Sequence, residues 1–567
     1  MDRIAARILL LEGWRRAALA FLAGAVATLA LPPVNFPAAG FVSFPILVWL
    51  LDGAAGRPGA GPLRRLMPAF RIGWMFGFGY FIAGLWWLGA AMLVDAADFL
   101  WAIPFAVLIL PAILAIYYGL AAALARSVWS ENAGRLFSLA AAFAFFEWAR
   151  GVLFTGFPWN EIGMMAAPVP LLMQSVSVIG LHGLTLAAIY VYASPAVIIG
   201  RQGRAPALLL AMALVVAHVG YGVIRLSTAE TGSVDGVTLR IVQPNIEQTL
   251  KWDEAEEERI FARLLSLSAR PAAADAADGS PPAARTGNEA AAVAPGDDDD
   301  AMADTTEAEG AAAARRLIIW PETAFPFLLT QRPDAITRIA DMLQPGETLI
   351  AGGVRLEARD DGARPLAYNA VYVIDERGEI IDARDKTHLV PFGEYLPLQA
   401  ILQRFGISQI VKMPGGFSPG AVRSPVPLDD APSFLPLICY EIIFPGEMAL
   451  PAAGERPGFI VNVTNDAWYG RTPGPYQHLR QAELTAAAFG LPLVRSANTG
   501  ISVVTDGYGR VMDGMALGSG GAFETALPHA LPATFYAHFG DRIFWVAEAV
   551  AAVLAAASLL RWRHRRD

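Results

Sequence analysis

The chain has 567 residues, 55% of them hydrophobic and only 17% charged, with a mean hydropathy of +0.42. A soluble globular chain carries about 25% charged residues, so this composition argues against a purely cytosolic enzyme and against a dominantly disordered chain. The net charge of −9 excludes a basic nucleic-acid-binding surface, and a single cysteine, Cys439, excludes an intramolecular disulfide framework.

Apolar runs dominate residues 1–235. A helix of about 18 to 20 apolar residues crosses a hydrocarbon core about 30 Å thick. Membrane spans are therefore predicted over 17–31, 41–51, 72–94, 99–124, 136–154, 171–199 and 205–224, with an eighth over 544–560. The second is the shortest. Basic residues gather in alternate loops: Arg3, Arg7, Arg15 and Arg16; then Arg57, Arg64, Arg65 and Arg71; then Arg126 and Arg135; then Arg201 and Arg204. The tail adds Arg561, Arg563, Arg565 and Arg566, whereas the other loops carry Asp95, Asp98 and Glu161. This bias places both termini in the cytoplasm and the polar region between spans seven and eight outside it. A cleaved signal peptide is the competing reading of the first span, and it leaves that orientation unchanged.

Glu147 and Arg150 are spaced to pair on one helix face, first as a structural intramembrane ion pair and second as a substrate contact. The outward loop Thr155-Gly-Phe-Pro-Trp-Asn-Glu161 reads either as part of an interfacial aromatic belt or as a lip over a site at the outer surface. In the second reading Trp159 binds substrate, edging a lateral opening for lipid.

From 236 to 535 the pattern changes to short β-rich runs bounded by Gly, Pro, Asn and Asp. They cover 237–246, 317–320, 348–354, 367–374, 434–439, 458–463, 491–495 and 501–505, with helical patterns over 254–267 and 476–489. Such alternation predicts a layered α/β domain. The stretch 270–316, with ten acidic and four basic residues and the run Asp297-Asp-Asp-Asp300, is expected to be a disordered acidic insertion. Three parts follow: a membrane domain over 1–235, an extracytoplasmic α/β domain over 236–535, and a last span with a basic tail over 536–567.

Cys439 ends the apolar run of Leu435-Pro-Leu-Ile-Cys-Tyr-Glu-Ile442. A nucleophile at a strand end can be presented on a sharp turn, although a lone buried cysteine is more often a small hydrophobe. Two further strand ends change the balance. Trp320-Pro-Glu322 places a carboxylate after 317–320, and Lys386 follows a strand over 380–384. An acid, an amine and a thiol thus reach one end of a sheet, where the carboxylate takes the thiol proton and the ammonium stabilises an oxyanion. His388 and His478 remain alternative bases or structural hydrogen-bonding histidines.

With this Glu-Lys-Cys set the polar domain resembles the nitrilase superfamily, and within it the membrane-embedded branch, the apolipoprotein N-acyltransferase family. Matching stretches include Val242-Gln-Pro-Asn245, Lys251-Trp252, Trp320-Pro-Glu322, Lys386-Thr-His-Leu-Val-Pro-Phe-Gly-Glu394 and Cys439-Tyr-Glu441. Asn465-Asp-Ala-Trp468, Gly474-Pro-Tyr-Gln-His478 and Arg495-Ser-Ala-Asn-Thr-Gly-Ile501 continue the order, so the resemblance covers nearly the whole chain. The long acidic insertion is the departure.

The resemblance implies a polytopic helical membrane domain of about eight transmembrane helices joined to an α-β-β-α nitrilase-like domain. It implies Glu322 as general base, Lys386 as oxyanion stabiliser and Cys439 as nucleophile. Glu394, Tyr440 and Glu441 would support the site, and Trp252 would bind substrate from a mobile loop. Read without the family, Glu394 is a turn or cap acid and Trp252 an interfacial anchor.

The implied reaction moves an acyl chain from a phospholipid, phosphatidylethanolamine by expectation, through a cysteine thioester to the α-amine of the diacylglyceryl-cysteine of a lipoprotein. The expected location is the bacterial inner membrane with the catalytic domain in the periplasm. No metal-ligand cluster or Gly-rich phosphate loop stands out, so no cofactor or metal is expected. A membrane-anchored amidase or hydrolase with the same triad is the alternative. A polytopic transporter or receptor with an inactive outer domain is a third reading.

Overall fold

The computed structural model describes residues 2–54, 56, 59, 61–198, 203–230, 232–269, 315–362, 364–402, 404, 409–411, 416–448 and 456–564. The apolar segments form α1 (Gly13–Ala27), α2 (Gly40–Asp52), α3 (Pro62–Leu85), α4 (Leu110–Ser127), α5 (Arg135–Val152), α6 (Val176–Ala193) and α7 (Arg204–Ser227). Among the described residues, six helical stretches are long and apolar enough to cross a bilayer: Pro62–Leu93, Ala96–Ser127, Arg135–Thr155, Val176–Val197, Arg204–Ser227 and Arg542–His564. The first two predicted spans differ. They fold as helices of 15 and 13 residues, separated by 3-10 turns at Thr28–Ala30 and Pro37–Ala39, and each is too short to span unaided.

Apolar chains in lipid gain little from hydrophobic burial, so helices associate by close packing over small residues. A Cβ at Gly24 of α1 would stand 1.9 Å from the carbonyl oxygen of Phe76 on α3, and one at Gly79 would stand 2.0 Å from that of Phe21. Glycine there lets the two backbones touch.

The polar region has twelve described strands in two sheets. The first sheet runs β12-β1-β2-β3-β4-β5, from β1 (Ser233–Gln243), β2 (Arg315–Trp320), β3 (Glu347–Glu357), β4 (Leu366–Ile374), β5 (Ile380–Asp385) and β12 (Gly521–Pro528). The second runs β11-β10-β9-β8-β7-β6, from β6 (Val426–Leu428), β7 (Ala431–Ile438), β8 (Phe459–Thr464), β9 (Leu493–Ala497), β10 (Ser502–Thr505) and β11 (Val511–Met515). Strands β6, β11 and β12 were not foreseen, because their short mixed sequences lack a clean period of two. The insertion predicted over 270–316 lies outside the described residues except for its end. Arg315 and Arg316 instead open β2, in parallel register with β1 and β3.

Alternation along each strand builds the layers. Leu317 and Ile319 of β2 point between the sheets, where they share a core with Phe434 and Ile438 of β7 and Val461 and Val463 of β8. Ile318 and Trp320 point the other way, onto α8 (Glu257–Ala269) and α9 (Pro333–Met342). On the far side, Leu435, Leu437 and Ile460 face α10 (Pro473–Phe489), and their core runs without a break into that of the membrane helices. Helix α10 is therefore the shared wall between the α/β region and the apolar frame. The chain leaves through α11 (Arg542–His564), which packs against α5 and α6.

Candidate active site

Strands β2, β5 and β7 deliver the three expected groups at their C-terminal ends. Glu322 follows β2 in a tight bend whose next residue, Thr323, has φ +45°. The bend sits so close to β3 that a Cβ on Gly352 would lie 2.6 Å from the Cα of Glu322. Lys386 follows β5, its amide held by the Asn369 carbonyl at 2.7 Å. Cys439 follows β7 and opens a 3-10 turn, Cys439–Ile443, with φ +53°. A left-handed backbone on a non-glycine residue costs free energy and is retained where surrounding contacts impose it. The strand therefore ends at Ile438, one residue before the run predicted over 434–439, and the cysteine is carried on the turn.

Glu322, Lys386 and Cys439 are all buried, at 7%, 1% and 6% exposure. The Lys386 ammonium donates to Glu394 Oε1 at 2.9 Å and stands 3.6 Å from Glu322 Oε1. Asn369 Nδ2 donates to both carboxylates, at 2.8 Å to Glu322 and 3.0 Å to Glu394. Glu394 Oε2 also accepts from the Val390 amide at 2.8 Å, so one carboxylate both caps its own turn and partners the lysine. Burial works against the Lys386 charge, but Glu394 and Glu322 outweigh it and hold the ammonium above its usual range.

Burial pushes the Cys439 thiol up to about 12; Glu322 adds to the rise and Lys386 opposes it. The thiol is thus protonated at neutral pH. It lies within the electrostatic reach of both a carboxylate that can remove its proton and an ammonium that can steady negative charge.

Glu441 fixes the Cys439 turn. Its Oε2 accepts from the Ile438 amide at 2.8 Å, and its Oε1 accepts from the Thr387 amide at 2.8 Å, the His388 amide at 3.0 Å and Arg423 Nη2 at 2.9 Å. One buried carboxylate thereby ties the cysteine turn to the residues after Lys386. Burial raises its pKa, but Arg423 and the amides prevail, and the group stays below the ordinary carboxylate value. Tyr440 reaches the apolar frame, donating its hydroxyl to the Gly156 carbonyl at 3.1 Å.

The two histidines do not sit as bases for the thiol. His388 stacks on Phe444 and bonds Glu447 at 2.9 Å. His478 donates from Nε2 to the Cys439 carbonyl at 3.1 Å, while its Nδ1 lies 2.9 Å from Asp466 Oδ1. Arg495 bonds the other Asp466 oxygen at 2.8 Å. Burial alone would raise the Asp466 carboxyl, yet Arg495 and His478 hold it down at about 2.

The two tryptophans part company. Trp252 is 47% exposed, beside the buried Lys251. Trp159 was expected on an open lip, but it is 1% exposed, packed on Trp87 and His478 and donating Nε1 to Gln477 Oε1 at 2.9 Å. Phe154, just before that loop, is the exposed aromatic, at 92%. Folding Trp159 inward against α10 gives its indole N–H a buried partner.

Three contributors were not singled out from the sequence. Asn369 carried one signal, a buried amide in the otherwise apolar run of β4. Lys251 donates to the Glu322 carbonyl at 2.9 Å and to Thr323 Oγ1 at 2.7 Å, holding the base's bend from below. Burial draws its pKa down to about 8 against the opposing pull of Glu322. Asp466 was legible only as part of a motif.

The N-terminal region matches the family model described as apolipoprotein N-acyltransferase N-terminal domain, over residues 23–194, and the α/β region matches carbon-nitrogen hydrolase, over 238–523. Among curated proteins the chain is 49% identical over 531 residues to an apolipoprotein N-acyltransferase of Brucella suis, covering 93% of this chain and 92% of that one. It is 45% identical to the one of Agrobacterium fabrum across the full length of both chains. Among solved structures, an amidase from Nesterenkonia is similar at 15% identity and a TM-score of 0.31, with 53% of this chain and 94% of that chain covered.

Proposed function

The chain belongs to the apolipoprotein N-acyltransferase family, a membrane-bound acyltransferase branch of the nitrilase superfamily that N-acylates lipoproteins, and we propose that Glu322, Lys386 and Cys439 carry its reaction through a thioester. The observation that supports these roles is the convergence of the three buried groups at the ends of β2, β5 and β7, above the core that α10 shares with the apolar frame. Glu322 takes the Cys439 proton as sulfur attacks the ester carbonyl of a phospholipid, phosphatidylethanolamine in our reading. Lys386 stabilises the tetrahedral oxyanion. Collapse breaks the C–O bond, Glu322 returns the proton to the departing alkoxide, and a lysophospholipid leaves.

The α-amine of a diacylglyceryl-cysteine then attacks the thioester. Glu322 accepts the ammonium proton and delivers it to the leaving thiolate, which restores the enzyme and yields the amide. Because the thiol rests protonated, the carboxylate acts as a true general base in the first step. Glu394, Asn369 and Glu441 are positioning residues in this scheme, and Trp252 lies where an exposed aromatic can meet an acyl chain. Extracting that chain into water would cost about 0.8 kcal/mol per CH₂. A site held directly on the membrane frame avoids the cost.

We place the α/β region on the outer face of the bacterial inner membrane with both termini inside, on the Lys/Arg bias of the loops. The test is intact-mass analysis of the full chain after exposure to phospholipid, followed by a diacylated lipopeptide. A hydroxylamine-sensitive acyl adduct on Cys439 that chases into amide-linked triacyl product is expected. Free fatty acid alone would favour the hydrolase reading, and an adduct absent from the wild type but turnover intact in Cys439→Ala would defeat the scheme.

A further inference from the structure

A second polar cavity lies at the far end of α10 from the triad. Its volume is about 190 Å³, and its lining includes Ser177, Tyr221, Arg225, Thr228, Tyr508 and Thr534. These come from the start of α6, the last turn of α7, the loop after β10 and the linker before α11. Arg225 donates to the Ala487 carbonyl at 3.5 Å, and His478, nine residues earlier on α10, holds the Cys439 carbonyl. At 1.5 Å per residue the two ends of that helix segment are about 14 Å apart, so the cavity and the thiol are separate places.

Arg225 is held by neutral groups rather than by a protein carboxylate. Its Nη1 donates to Gln174 Oε1 at 2.8 Å, and its guanidinium lies 5.1 Å above the Tyr508 ring. No carboxylate forms an ion pair with it among the described residues. The nearby Asp506 is spent on Arg510, at 2.6 Å from Nε to Oδ2, and on the amides of Tyr508 and Arg510. A second arginine, Arg456, donates to the Leu531 carbonyl at 2.6 Å, at the cavity's edge, and likewise pairs with no acid among the described residues.

The hydroxyls on the same lining are spent inside the protein: Ser177 donates to the Gln174 carbonyl at 2.7 Å and pairs with Tyr221, Thr228 donates to the Ile224 carbonyl at 3.0 Å and Thr534 to the Ala488 carbonyl, so the free donors there belong to Arg225. A guanidinium with uncommitted N–H groups, on a lining that holds no carboxylate, fits a phosphate group, whose oxygens accept from those N–H groups.

The surroundings identify what carries that phosphate. Val223 and Ile224, flanking the cavity on α7, are 50% and 65% exposed, and Phe535, which lines it, is 57% exposed. Arg225 stands in the last turn of an apolar helix long enough to cross the bilayer, at its α/β end. Charged headgroup and apolar chains meet at that depth. We propose that this cavity binds the phosphodiester of a resident phospholipid, seated at the seam between α6, α7 and the α/β region and distinct from the lipid consumed at Cys439.

The test uses the full chain purified in mild detergent with Cys439→Ala, so that no bound lipid is turned over. Native mass spectrometry after exchange into nanodiscs of phosphatidylethanolamine, with or without phosphatidylglycerol, counts retained phospholipid. Retention is expected to fall at least fivefold in Arg225→Gln and to be partly kept in Arg225→Lys, which preserves the charge, with both variants folded at the melting temperature of the parent. Diacylglycerol, which lacks the phosphate, is expected not to be retained.

Equal retention of diacylglycerol, or retention unmoved by Arg225→Gln, would overturn the proposal. Saturable binding of inorganic phosphate that needs Arg225, with no phospholipid retained, would assign the anion to a soluble source and overturn it as well. Arg225→Gln in the chain that keeps Cys439 separates the readings: lipid retention lost with acyl transfer intact supports the cavity and leaves the reaction scheme standing, whereas retention unmoved overturns the cavity without touching that scheme.

Discussion

Two buried clusters of opposite charge sit in the two halves of this molecule and use the same ingredients differently. In the apolar frame, Arg150 puts every nitrogen of its guanidinium to use. It bonds Glu147 through Nε at 3.1 Å and through Nη2, and its Nη1 donates to the carbonyls of Phe157 and, at 3.0 Å, Trp159. Tyr118 donates to the other Glu147 oxygen. In the α/β region, Lys386 makes one full hydrogen bond, to Glu394, and stands 3.6 Å from Glu322. Its remaining donor capacity is free for charge that appears during reaction. A cluster whose charged nitrogens are all bonded holds shape, whereas one whose ammonium keeps most of its donors in reserve can answer new charge.

The two are connected. Arg150 holds the loop over 157–159, Gly156 in the same loop accepts from Tyr440, and Tyr440 follows the nucleophile. The rigid cluster thus braces the reactive one across the membrane surface.

The largest expected difference between the clusters is chemical. Glu322→Gln should lower acyl transfer by about 10³-fold, the scale of a lost general base. The same substitution removes a negative charge that raises the thiol pKa, so alkylation of Cys439 by iodoacetamide should become faster. Slower alkylation would contradict the electrostatic account. In the wild type, a thiol pushed up to about 12 should alkylate about tenfold faster per pH unit between pH 7 and 10, without a plateau. A plateau near pH 8 would mean that the site holds a preformed thiolate.

Next come the purely structural pairs. Arg150→Met leaves Glu147 buried and uncompensated, and should cost about 3–5 kcal/mol of stability, read as a lowered melting temperature in detergent. The pH profile of Cys439 alkylation should not move in the protein that survives. Asp466→Asn should destabilise on a similar scale, because it strands Arg495. The Asp466 carboxyl at about 2 also sets an acid limb. Its stabilisation is complete above the ordinary carboxylate pKa near 4 and drains away as pH falls toward 2. Asp466→Asn should flatten that limb in a pH series of melting temperatures.

Smaller effects follow. Asn369→Ala loosens the spacing of two carboxylates and should reduce kcat about tenfold, with KM little changed. Trp252→Ala removes a half-exposed aromatic and should raise KM for lipid a fewfold while leaving kcat intact.

Much of this was legible along the chain because it is local. Apolar run length marks membrane helices, and a period of two marks β2, β4 and β7. The bends after Trp320, Asp385 and Ile438 deliver an acid, an amine and a thiol at strand ends. Strand β12 was not legible, because its pairing with β1 joins residues 233 and 528, far apart in sequence. Trp159 misled for a related reason: an aromatic in a Pro/Gly-rich loop reads as exposed until Gln477, on a helix more than three hundred residues away, supplies its partner.

Composition, hydropathy and the ordered motifs by themselves determined the membrane frame, the α/β region and which acid, amine and thiol stand at the strand ends, because each depends on residue type within a few turns of chain. Only the tertiary structure decided what those groups experience. Burial of the thiol, the sharing of Asn369 between two carboxylates, and the bracing of the site by Arg150 arise from residues brought together across both sheets and the apolar frame. Electrostatics and desolvation depend on distance in space, which the order of residues does not contain.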